Sequence, residues 1–216
     1  MDRHHDPHHP DDDDQRLADR LAVPGDVRPS VWRTPPPQQP GCLSHEMAWR
    51  LLDDHTQAGD IVVDVDDDVA FAATAAATGR RHHALDGDIH LGTLGHAAGY
   101  IDLILLHWPR PAVNPHWLLL ACQSLLGTTG RLVIAISVEP LHRTAQLSAL
   151  GGAASTVGLR AVGHVTAVVA QAATPPPAGP DPTTPSPDHN TDTDDDPLPL
   201  SPHTDLLIFG PDGGPR

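Results

Sequence analysis

The sequence predicts an α/β fold, a mostly parallel sheet with helices on both faces, on the strength of three observations. Apolar, β-branched runs at 61–65, 101–106, 131–136 and 159–170 alternate with stretches of helical composition, the order that builds a parallel sheet. The run Ile101-Asp-Leu-Ile-Leu-Leu106 is almost continuously apolar, as a strand covered on both faces requires. A last strand signal, Asp205-Leu-Leu-Ile-Phe209, follows a polar segment too poor in apolar residues to fold alone, so it needs an existing sheet to join.

Taken in order, residues 1–30 place His4, His5, His8 and His9 among Asp2, Asp6 and the run Asp11–Asp14, with room for a short helix from Gln15 to Ala22. They predict a disordered acidic tail, and imidazole with carboxylate could also hold a divalent metal weakly. Thr34–Gly41 is too rich in proline for a helix. Ser44 then caps a helix over Glu46–Asp54 that has Met47, Leu51 and Leu52 on one face. Ile61–Val65 reads as a buried strand, Ala70–Thr78 as an alanine-rich helix stopped by Gly79, and His82–Leu85 as a weaker strand. Residues 89–99 leave space for a short third strand. Pro115–Leu126 is a helix ending in Gly127-Thr-Thr-Gly130, Arg131–Ile136 a strand, Leu141–Val157 a helix and Leu159–Ala170 a strand.

The expected organisation is a tail (1–30), one α/β domain (31–170), a disordered Pro/Thr/Asp-rich loop (171–203), a terminal strand of the same domain (204–210) and a short disordered end (211–216). The formal charge of −15 sits mostly outside the domain. Residues 1–30 carry four Arg against eight Asp, 31–170 eight Arg against twelve acids, and 171–216 one Arg against eight Asp; lysine is absent from the sequence. A mildly acidic domain is a poor autonomous DNA binder, because non-specific affinity comes from cations displacing counterions from phosphates. The acidic flanks suit a protein partner instead. Cys42 and Cys122 form no CxxC pair, which argues against a disulfide framework or cysteine zinc site. With neither a signal peptide nor an apolar run of about twenty residues, the expectation is a cytoplasmic protein without a membrane span. Serine-elbow, phosphate-loop and His-Glu-x-x-His motifs are all missing.

Trp32-Arg-Thr-Pro-Pro-Pro37, Ser44-His-Glu-Met-Ala-Trp49 and Gly59-Asp-Ile-Val-Val-Asp64, followed by Ala75-Ala-Ala-Thr-Gly-Arg-Arg81 and Ala84-Leu-Asp86, resemble the DNA adenine/cytosine-N4 methylases. These are class I methyltransferases that use S-adenosyl-L-methionine. The resemblance covers roughly 31–170 and 204–209. It implies a Rossmann-like class I methyltransferase sheet closed by an antiparallel terminal strand, with that cofactor bound at the carboxyl ends of the strands.

The same resemblance puts cofactor contacts at Asp64, Asp66 and Asp86. Asp64 ends the first cofactor strand. The family follows it with glycines that let backbone approach the ligand, whereas this chain has Val65-Asp-Asp-Asp-Val-Ala-Phe71. Three extra carboxylates there repel an anionic ligand group by about 1 kcal/mol or more each when unscreened. Asp86, 22 residues after Asp64, has the spacing of an acid that accepts ribose hydroxyls; an exposed turn beside Gly87-Asp88 explains it as well. The family's catalytic Asp/Asn/Ser-Pro-Pro-aromatic motif, which binds the target amine of a flipped base, corresponds to His107-Trp108-Pro109-Arg110. His107 could accept a proton and Trp108 could stack on a planar substrate; alternatively His107 caps the strand and Trp108 plugs an emptied pocket. The resulting expectation is a degenerate methyltransferase-like protein of unknown substrate with weak or lost catalysis. Beside it stand a non-catalytic scaffold, an active N-methyltransferase, and a divalent-metal site at Asp66–Asp68.

Overall fold

The computed structural model describes residues 27, 29–85, 94–137, 140–170 and 203–213. Asp86, the histidine-rich start with its possible helix, and the 171–202 segment lie outside the described residues. Eleven elements follow one another: β1 (Ser30–Thr34), α1 (His45–His55), β2 (Ile61–Asp64), α2 (Val69–Ala77), β3 (Arg81–Ala84), β4 (Ile101–Trp108), α3 (Pro115–Leu125), β5 (Leu126–Ile136), α4 (Pro140–Thr156), β6 (Leu159–Val169) and β7 (His203–Pro211). The strands form one seven-stranded sheet in the order β1-β6-β7-β5-β4-β2-β3. Pairings β1–β6, β4–β5, β2–β4 and β2–β3 are parallel, and β7 runs antiparallel between β5 and β6. This is the Rossmann-like, mostly parallel sheet with an antiparallel terminal strand.

Strict alternation along the strands explains why helices cover both faces. Val62, Leu103, Leu105, Val133 and Ala135 pack under α1 and α2 against Met47, Leu51, Leu52, Phe71 and Ala75. Their neighbours Val63, Ile104, Leu106, Leu132 and Ile134 face the other way, against Leu118, Leu119 and Cys122 of α3 and Leu147 and Leu150 of α4. Local chemistry sets the helix starts. Ser44 accepts the Met47 N–H at 3.2 Å, and Asn114 accepts that of His116 at 2.9 Å beside Pro115 in the first turn. Arg80 joins the two ends of the α1–β3 region: its guanidinium donates to Leu52 O at 3.1 Å and Thr56 O at 2.8 Å.

Three boundaries differ from the sequence expectation. The proline-rich approach is preceded by a strand, β1, whose five residues pair with Val165–Val169. An edge strand buried on part of one face shows little periodicity, and the prolines after it mask what remains. β5 begins at Leu126 rather than Arg131 and takes in Gly127-Thr-Thr-Gly130. Its pairing with β4 is irregular there, and a Cβ on Gly130 would meet Ile101 O at 2.6 Å, so glycine permits the approach. β4 continues two residues past Leu106, through His107 and Trp108, which pair with Ala135 and Ile136.

Among the described residues, no helix is long and apolar enough to cross a membrane.

Candidate functional site

The carboxyl ends of β2 and β4 lie side by side, with Asp64 opposite Leu105, at the end of the sheet where ligands of open α/β folds bind. Asp64 is fully buried, and its two oxygens accept the N–H groups of Asp66 at 3.0 Å and Asp68 at 2.5 Å. That carboxylate is therefore committed to folding the loop that follows. The loop makes its bend at Asp67, whose φ is +55°. Glycine takes this left-handed region freely, and aspartate is among the few other residues that tolerate it, so the turn forms without glycine.

Asp66 reaches across to β4. One oxygen accepts the His107 N–H at 2.7 Å, and the other pairs with the Arg110 guanidinium, whose Nε donates to His107 O at 3.1 Å. Asp68 is the hub. Its Oδ1 caps α2 by accepting from Ala70 N at 2.9 Å and Phe71 N at 3.0 Å. Its Oδ2 accepts from Leu43 N at 2.6 Å and faces His107 Nε2 at 3.2 Å. Burial by itself pushes this carboxyl up, but the His107 bond and the Leu43 and Phe71 N–H groups outweigh it and hold Asp68 below the usual carboxylate range. The Cys42 thiol is pushed up, first by burial and then by the Asp68 charge, so it is not an activated nucleophile. On β3, His82 Nε2 is buried without a hydrogen-bond partner, 3.7 Å from Asp64 Oδ2.

The structure brings Asp64, Asp66 and His107 together and leaves Trp108 out. Consecutive strand residues point to opposite faces. His107 turns toward Asp68 on the α1–α2 side, while the Trp108 indole sits in the α3–α4 core, 8% exposed, donating to Gln146 Oε1 at 2.7 Å. Pro109 follows Trp108 through a cis peptide. Trp108 thus packs into the core on the far face of the sheet from His107, apart from the position at which the resemblance puts the substrate. Asp86 lies outside the described residues. Sequence reasoning took Asp68 only as a repelling charge or part of a metal site and missed its capping role, although an aspartate directly before Val69-Ala-Phe-Ala is an N-cap signal. It also gave Arg110 no role in closing the loop.

A cavity of about 30 Å³ lies beside the amino ends of α1 and α2, against Cys42, Leu43, His45, Val69 and Ala70. A larger one of about 290 Å³ is at the opposite end of the sheet, among Asp53, Asp54, Asp60 and Asp102. Among the described residues, no group of three or more His, Cys, Asp or Glu is placed to hold a metal ion.

A second polar cluster is buried where β7 enters. Asp205, opposite Ile136 and Thr166, accepts from Arg143 Nε at 2.5 Å, Arg143 Nη2 at 2.7 Å and Thr166 Oγ1 at 2.9 Å, with His164 Nε2 at 2.9 Å. Burial pushes the Asp205 carboxyl up, yet His164 and Arg143 more than reverse that and hold it far below the ordinary value. Such a bidentate pair satisfies a buried charge that would otherwise be very costly.

No family model and no curated protein matches this chain. Solved structures of low similarity do. Geranyl diphosphate C-methyltransferase from Streptomyces coelicolor is 15% identical, with 57% of this chain and 60% of that one covered and a TM-score of 0.42. A candidate methyltransferase from Thermoplasma acidophilum is 13% identical over 81% of this chain and 66% of that one, at a TM-score of 0.43. A chain of the complex between the Haloferax volcanii Trm112 methyltransferase activator and its candidate methyltransferase is 13% identical over 77% and 94%, at 0.44. This chain spans 60% to 64% of the length of three geranyl diphosphate methyltransferase structures it matches and 68% of a fourth. Likeness at this level carries no argument about activity; the fold assignment rests on the strand order itself.

Proposed function

We propose that this chain is a methyltransferase-type α/β protein related to the DNA amino-methylases, in which methyl transfer has been lost and the fold serves as a binding module. The observation that carries the reading is the Asp68 carboxylate. It ties the segment before α1, the start of α2 and the end of β4 into one closed unit, at the place where the resemblance puts the cofactor. Among the described residues, the loop after β2 offers S-adenosylmethionine no glycine and few free backbone donors. Beside the amino ends of α1 and α2 the described residues enclose a cavity of about 30 Å³, space for about one water molecule. The loop after β2 carries Asp66, Asp67 and Asp68 where the resemblance puts glycines, and the backbone N–H groups of Asp68, Ala70 and Phe71 are already taken by the Asp64 and Asp68 carboxylates.

The catalytic positions support the same reading. His107 is engaged by Asp68 and Asp66, and Trp108 lies on the far face of the sheet. The mildly acidic domain and the strongly acidic flanks favour a protein partner over autonomous duplex DNA. A direct test is incubation with methyl-labelled S-adenosylmethionine and unmethylated DNA. The expected result is no incorporation above a heat-killed control; incorporation that disappears in His107→Ala contradicts the proposal.

A further inference from the structure

We draw no further inference here: the strongest candidate, the cavity of about 290 Å³ among Asp53, Asp54, Asp60 and Asp102 at the amino ends of β2 and β4, is a cluster of acidic residues of which two already accept backbone N–H groups, and nothing among the described residues shows what would occupy it.

Discussion

His107 and Trp108 are neighbours in β4 and face opposite sides of the sheet: the imidazole lies 3.2 Å from the Asp68 carboxylate, while the indole is buried between α3 and α4. Substitutions at the two positions therefore have different consequences. Trp108→Ala leaves a void in the core and strands Gln146, and is expected to cost about 3–5 kcal/mol. His107→Ala removes one charge-assisted contact and is expected to cost about 1–2 kcal/mol. Urea unfolding of both variants checks the order; equal losses would contradict the facing.

Arg143 and Asp205 pin the terminal strand. Arg143→Ala leaves a carboxylate buried with half its partners gone, and should destabilise by about 3–5 kcal/mol. The effect should concentrate in amide exchange of β7 and its neighbours. A variant as stable as the parent would show the pair to be incidental.

Acid stability follows from the same groups. The carboxyls of Asp68 and Asp205 are held below their ordinary value of 3.8, so their contribution is complete above about pH 4 and is lost as the pH falls through the folded-state values. Chemical unfolding between pH 2 and 5 should show a steep acid limb in the parent and a shallower one in Asp205→Asn. Parallel limbs would contradict this account.

Gly130 marks the tight start of β5, where an added methyl would sit 2.6 Å from Ile101 O. Gly130→Ala should cost about 1–3 kcal/mol through displaced backbone. Thermal melting checks it, with Gly152→Ala, at an open position, as the control.

Much of the fold was legible because buried strands advertise themselves. Val62–Val63 and Leu103–Leu106 are apolar on both faces, and Asp205–Phe209 needed a sheet to join. The terminal strand indeed runs antiparallel between β5 and β6. What escaped was set by partners distant in sequence. β1 is defined by pairing with β6, some 135 residues on, and its own five residues carry no clear period. The extension of β4 through His107 and Trp108 depends on Ala135 and Ile136 opposite them. That extension separated two residues which the motif comparison had placed in one pocket. Asp205 could have been flagged, since a charge leading a buried strand demands a partner, but nothing local names Arg143, 62 residues away. Likewise, three consecutive aspartates read as repulsion in sequence. In the fold Asp66 and Asp68 have separate cationic or N–H partners and Asp67 turns to solvent.

On the proposed reading, the carboxyl end of the sheet does not bind the cofactor that the resemblance to the methylases implies. Isothermal calorimetric titration of the full chain with S-adenosylmethionine and S-adenosylhomocysteine tests this most directly. The account predicts no heat of binding and no thermal shift up to millimolar ligand. Micromolar binding, weakened by Asp64→Asn, would contradict it and put a cofactor site at the end of β2.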